Sequence, residues 1–457
     1  MVIALAGAGV NGVTAMAAPP APSPGTAEPQ RCALHADGEA PPTTTPAQVN
    51  MDAAKLREAI EFATAGNRLS VQVYRHNCLV GGSELNPVTA ELPWNVWSST
   101  KSVTAMLTGI AYTQGKIELD ASIGKYLPPG PGWGDAQHRA ITVRQLLTQA
   151  SGLEQSVGAE AASSGAGLDS SVVKQALALP VVHEPGIHFA YGQRPVDLLA
   201  HGVERAVGED LQAYAQRNLF GPIGISSSDY VWLRDRAGNT YGFANLYLKP
   251  RDFARLGLLM VNNGSWRGTQ LISPEYIAKA TTPSKTNACH GFLFWLNHAP
   301  CIGPSVPSRH VYPQAPLAGM PSDGYAMVGF LRQNNFIVPS LGLVVTWTGV
   351  LGDHSLDPAT ALSVSPNSEL VHGFLRILGQ AFTDVSLPDP GPYQHEHNFD
   401  FQPEQFADPR LLLGAFGIGP YAPTDCNVAV CGGAIPGLGL AQNGEAIAGS
   451  LIAGLEG

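Results

Sequence analysis

The chain has 457 residues, 44% of them hydrophobic and 14% charged, which gives ample material for a large buried core and excludes a disordered protein. The formal net charge is −10 with no dense run of lysine or arginine, so nucleic acid is not expected as a partner.

Taken in chain order, residues 1–17 resemble the apolar part of a secretion signal without a positively charged start. Ala15, Met16 and Ala17 form a small-x-small cleavage site. A buried N-terminal strand or helix is the plainer alternative. Residues 18–48 are rich in Pro, Ala and Thr and read as an extended lead-in. Ala53 to Ala65 has the spacing of an amphipathic helix, and Leu69 to Tyr74 alternates as a strand. A helix is expected from Ser98 to about Gln114, stopped by Gly115, with further helices at Val143–Gln149, Val196–Val207 and Pro250–Asn262. Gly324–Phe330, Asn335–Val338 and Leu343–Thr348 are rich in β-branched and aromatic residues and read as strands, followed by a closing helix over Glu369–Phe382. Strands near both ends of the core with a helical block between them predict an α/β fold. Its antiparallel sheet is flanked by helices and built from both ends of the core, with a mostly helical lobe inserted. The main domain is expected over 49–384. Residues 385–457 turn Pro- and then Gly-rich and read as a C-terminal extension. No stretch after the first residues is long enough to span a bilayer.

Six cysteines, an even number, fit disulfides in an exported protein. The simplest pairing is Cys289 with Cys301, Cys426 with Cys431, and Cys32 with Cys78, and reduced thiols are the alternative. Without a CxxC there is no support for a zinc ribbon.

The most informative segment runs from Trp97 to Leu107. Ser98 stands three residues ahead of Lys101 at the start of an apolar helix, and such positions are neighbours on one helix face. An alcohol becomes a nucleophile when a nearby base takes its proton, and burial turns a lysine into such a base by lowering its pKa. A simple helix cap at Ser98 or Ser99 is the competing reading. The same spacing recurs at Ser122/Lys125, where Gly124, Pro128 and Pro129 break the helix. It recurs again at Ser171/Lys174, where the serine reads as a cap.

Several segments in order resemble the penicillin-recognising serine hydrolases, which include class C β-lactamases, D-alanyl-D-alanine carboxypeptidases, esterases and 6-aminohexanoate-dimer hydrolase. Ser98–Ala105 resembles the nucleophile box, and Ile141–Leu153 the helix ending at a Ser-Gly-Leu turn. Phe189–Gln193 resembles the tyrosine box, and Tyr241–Met260 the long segment of the esterase and aminohexanoate branch. The resemblance spans roughly Met51 to Gln380 and implies a β-lactamase/transpeptidase-like fold. It also implies that Ser98 is the nucleophile, that Lys101 is its base, and that Tyr191 passes the proton to the leaving group. Backbone N–H groups of Ser98 and Phe330 would hold the oxyanion, Phe330 following the strand residues Met327, Val328 and Gly329. Where lactamases and carboxypeptidases carry a cation and a hydroxyl to grip a carboxylate, this chain has Met327 and Val328, which cannot form such bonds. Arg332 is a possible replacement, against the plainer reading of a surface arginine. Gln193 replaces the usual Asn of the tyrosine box and keeps an amide on a longer arm.

The expectation is therefore an exported serine hydrolase acting on an ester or amide of a small molecule, with no cofactor. A β-lactamase or carboxypeptidase is the second reading, and a non-catalytic binding protein on the same fold the third. A metal site at His395–Asp400 is weaker than a polar tail. A triad through His183, His188 or His354 has no sequence signature beside a serine, and there is no Gly-x-Ser-x-Gly elbow.

Overall fold

The computed structural model describes residues 28–36, 38–304, 309–350, 368–394 and 403–433, with 437, 443–444 and 447–448. Residues 1–17, His354 and the His395–Asp400 segment lie outside the described residues.

Six strands form one sheet in the order Cys78–Gly82, Arg68–Arg75, Leu343–Gly349, Gln333–Val338, Tyr325–Gly329 and Trp295–Leu296, each antiparallel to its neighbours. Side chains alternate across a strand, so each strand feeds two cores. Val344 and Ile337 join one apolar cluster, while Leu343, Val345, Phe336 and Val338 join the other. The second core is roofed by the helices Ala53–Ala65 and Glu369–Gly379, from opposite ends of the domain. Asp52 caps the first by accepting from the Ala54 and Lys55 N–H groups at 2.8 and 2.9 Å, and its own N–H donates to Ala381 O at 2.7 Å. The N- and C-terminal parts of the domain are thereby tied edge to edge, as the sequence predicts.

On the other face lies the helix Ser99–Thr113, and behind it the helical lobe, including Val157–Gly165 and Arg194–Val207. The first of these helices is buried along almost its whole length, which its apolar run from Val103 to Ile110 demands. Its start is pinned to the sheet: Ser99 Oγ donates to Gln333 O at 2.9 Å.

All three expected disulfides are present, Cys32–Cys78, Cys289–Cys301 and Cys426–Cys431. Among the described residues no helix is long and apolar enough to cross a membrane, and no group of three or more His, Cys, Asp or Glu could hold a metal ion.

Candidate active site

Ser98 occupies the N-cap position of its helix, yet its side chain makes no capping bond. It faces Lys101 instead, whose Nζ lies 3.1 Å from Ser98 Oγ. The preceding residue, Trp97, is held at φ +47°, a left-handed conformation that costs a bulky side chain about 1–3 kcal/mol. That strained turn presents the hydroxyl at the helix end, and Asn95 Oδ1 supports it by accepting the Trp97 N–H at 2.8 Å.

Lys101 is almost fully enclosed. Its amine donates to Gln193 Oε1 and, at 3.4 Å, to Phe243 O, and it sits 4.6 Å from the ring centre of Tyr191 and 5.1 Å from that of Phe243. Burial lowers its pKa from 10.5 to about 7, against the carboxylates of Asp197 and Glu160, which raise it. An amine near that value is substantially neutral at pH 7 and carries a lone pair toward the hydroxyl. Tyr191 hydrogen-bonds Ser98, and burial drives its phenol well above the ordinary range, so it is a proton-bearing group at neutral pH.

The tyrosine is carried on a turn stitched to the helical lobe. Gln149 accepts from Ala190 N at 2.9 Å through its carbonyl and from Gly192 N at 2.6 Å through Oε1. Gly192 lets this turn pass close to the Gln155 side chain, whose Oε1 would lie 1.6 Å from an added Cβ and would have to move aside. On the opposite side, Gly329 ends its strand so close to the nucleophile turn that a Cβ would sit 2.2 Å from Val96 O. Phe330 follows, its ring 5.6 Å edge-on from Trp97. Leu331 and Arg332 then take positive φ values of 56° and 61°. Arg68 holds this turn, donating from Nη1 to Leu331 O at 2.8 Å and Arg332 O at 3.0 Å.

The structure thus brings Ser98, Lys101, Tyr191 and Gln193 together and sets Gly329 and Phe330 beside them. Met327 and Val328 are buried on the same strand, one in each core. Arg332 is completely enclosed, which corrects the surface reading: the turn folds it inward where Arg68 grips its carbonyl. Of the other Ser-x-x-Lys pairs, Ser171 caps the short helix Val172–Ala176, and Lys174 pairs with Asp425. Lys125 pairs with Glu118. The rings of His183 and His188 pack against each other at a tilt of 31°, their centres 4.0 Å apart.

A buried charge cluster behind Lys101 escaped the sequence reading. Arg194 bridges Asp169 at 2.8 Å and Asp197 at 2.9 Å, and Asp197 Oδ1 also accepts the Gly242 N–H at 2.8 Å. Glu160 Oε2 accepts the Gln193 N–H at 2.8 Å. Desolvation raises the pKa of Glu160 to about 7 and that of Asp197 to about 6.

An amine, a hydroxyl and a phenol in one dry contact are the parts needed to deprotonate an alcohol and reprotonate a leaving group. The family model described as Beta-lactamase matches residues 61–364, and the chain belongs to that family. Monacolin J acid methylbutanoyltransferase of Aspergillus terreus (strain NIH 2624 / FGSC A1156) is 29% identical over 167 residues, covering 32% of this chain and 40% of that protein. The chain therefore spans about two-fifths of the length of that curated relative. Among solved structures, the "putative beta-lactamase" of Bacteroides dorei DSM 17855 superposes with a TM-score of 0.55 at 17% identity, covering 72% of this chain and 99% of that one. The "putative 6-aminohexanoate-dimer hydrolase" of Bacillus anthracis gives 0.53 at 15% identity, covering 76% and 88%. These likenesses establish a β-lactamase/transpeptidase-like fold.

Proposed function

We propose that this chain is an exported serine hydrolase that cleaves an ester or amide of a small molecule through an acyl-enzyme on Ser98. The observation that carries the reading is the enclosed amine of Lys101, 3.1 Å from Ser98 Oγ and with a pKa brought down to about 7. In this mechanism Lys101 takes the Ser98 proton as Oγ attacks the substrate carbonyl. The oxyanion is held by the backbone N–H groups of Ser98 and Phe330. Tyr191 donates its phenolic proton to the leaving group, and the proton that Lys101 took from Ser98 passes to Tyr191 to restore the phenol. Water then attacks the acyl-enzyme by the reverse route.

An uncharged acyl or leaving group suits the site better than a carboxylate-bearing one, since Met327 and Val328 supply no cation or hydroxyl there. This ranks an esterase or amidase ahead of a β-lactamase or carboxypeptidase. Export is supported by the three disulfides, which persist in oxidising compartments.

The test is labelling by a serine-reactive phosphonate. Ser98→Ala abolishes it, while Ser122→Ala and Ser171→Ala leave it intact. Labelling that survives in Ser98→Ala overturns the assignment. Absence of labelling in every variant, wild type included, favours the non-catalytic binding protein. Nitrocefin turnover matching that of a short p-nitrophenyl ester would reverse the ranking of substrates.

A further inference from the structure

The helix Val157–Gly165 carries Glu160 into the protein with its two carboxyl oxygens in different surroundings. Oε2 accepts the Gln193 N–H, and Gln193 in turn accepts from Lys101. Among the described residues, Oε1 is buried without a hydrogen-bond partner, as is Gln175 Oε1. Both residues line a narrow cavity of about 10 Å³ shared with Ser163, Arg194, Leu411 and Tyr421. The far wall of that void is the C-terminal extension: Leu411 lies on the helix Pro409–Ala415, and Tyr421 follows it.

The extension is fastened there by several independent contacts. The Asp408 N–H donates to Ser156 Oγ at 2.7 Å, four residues before Glu160 in the chain. Arg410 pairs with Glu154 at 3.0 Å, and the Tyr421 hydroxyl donates to the same carboxylate. Asp425 pairs with Lys174, next to the disulfide Cys426–Cys431. Leu411 and Ala415 are themselves buried.

We propose that Glu160 is a positioning residue for Lys101, and that the C-terminal extension is the seal that keeps the Glu160 carboxyl away from water. The inference rests on the reading that Lys101 is the base for Ser98. Glu160 fixes the backbone of Gln193, which fixes the amine, and its carboxylate sets how readily the amine gives up its proton. Arg194, Asp197 and Asp169 face the same cluster from the lobe, and His290, neutral because burial lowers its pKa to about 3, faces Lys101 from the sheet side. Water admitted from the extension's side solvates Glu160, favours its ionised form, and so favours the charged amine. An uncharged amide at 160 does the opposite.

The experiment measures the pH dependence of kcat/KM for p-nitrophenyl acetate, and of the phosphonate labelling rate, on full-length wild type, Glu160→Gln, Leu411→Ala, Tyr421→Ala and the double variant Glu160→Gln/Tyr421→Ala. The acid limb moves down by about half a pH unit or more in Glu160→Gln and up by a similar amount when the seal is opened. In the double variant, Tyr421→Ala adds little. A limb that stays put in Glu160→Gln and in both seal variants, even with lowered thermal stability, overturns the proposal and leaves the extension a structural brace. Equal upward shifts with and without Glu160 also overturn it. Full activity in Ser98→Ala overturns it together with the reading it rests on, and the retained turnover tells the two failures apart.

Discussion

Lys101 Nζ lies 3.1 Å from Ser98 Oγ and 4.6 Å from the ring centre of Tyr191, so one amine touches both the alcohol and the phenol of the site. The aromatic faces of Tyr191 and Phe243 favour a cation. Desolvation outweighs them and the distant carboxylates, and the pKa falls to about 7.

The sign of the pH profile follows. The base works when neutral, so kcat/KM rises with pH through about 7 and then levels. Lys101→Met lowers kcat by roughly 10²–10⁴-fold, the range for a lost general base. The same substitution raises thermal stability. In the folded chain the amine pKa is depressed, so the unfolded chain binds more protons between about 7 and 10.5. Folding is therefore penalised below that window, and stability is regained as pH rises through it. Removing the amine removes the penalty, and the Tm at pH 7 rises by a few degrees, measured by calorimetry. A Tm that falls would show that the amine's hydrogen bonds outweigh its desolvation.

Gln193 supplies the oxygen that receives the Lys101 amine, and its own N–H is held by Glu160. Gln193→Ala removes the acceptor while keeping the backbone bond, and kcat/KM for a p-nitrophenyl ester falls about tenfold, one hydrogen bond to a charged or partly charged group being worth about 1.5 kcal/mol. Gln193→Asn recovers less than half of that loss, because the shorter arm stops a methylene away from the amine. Full recovery in the Asn variant would mean that reach is not what selects the longer amide.

Arg194 stands between two fully buried carboxylates, Asp169 and Asp197. Arg194→Met leaves both without their cation, at a cost of about 3–5 kcal/mol read from the urea midpoint. Without the guanidinium the carboxyl of Asp197, already raised by burial, rises further, so the folded variant binds more protons than the unfolded chain above pH 4. The variant is therefore less destabilised at pH 5 than at pH 8. Equal losses at the two values would place the damage in packing, not charge.

Much of this architecture was legible because period and burial agree. The helix Ala53–Ala65 was readable to the residue, with Leu56, Ile60 and Ala63 buried along one face. The strand Leu343–Gly349 declared itself by its β-branched run. The hairpin strand Cys78–Gly82 did not, since it ends in two glycines that hide the alternation. The two-residue strands Trp94–Asn95 and Trp295–Leu296 are too short for any periodic signal. At the site, Ser98, Lys101 and Tyr191 sit in recognisable local patterns, whereas Asp169 lies in a serine- and glycine-rich run with no local pattern to mark it. Tertiary pairing with Arg194 buries it, and that pairing spans 25 residues of sequence. Arg332 was misread for the same reason. Its enclosure depends on Arg68, a partner 264 residues away.

The clasp between the two ends of the domain makes the last prediction. Arg75, on the strand Arg68–Arg75, donates from Nη1 to Val49 O at 2.6 Å and Asn50 O at 2.8 Å, and from Nη2 to both carboxyl oxygens of Asp384 at 2.9 and 2.7 Å. Its guanidinium also lies over the ring of Phe382, 4.7 Å from the centre. One buried cation thus joins the N-terminal turn, the sheet and the segment that follows the closing helix. Asp384→Ala strands it without its counter-charge, at about 3–5 kcal/mol in urea unfolding. Asp384→Asn keeps one acceptor oxygen and the shape, and costs less. Arg75→Met removes the charge itself, so the double variant Arg75→Met/Asp384→Ala is expected to be more stable than Asp384→Ala alone. A double variant whose loss equals the sum of the two single losses would mean that the pair is not coupled, and that the clasp is held by the backbone bonds of Arg75 instead.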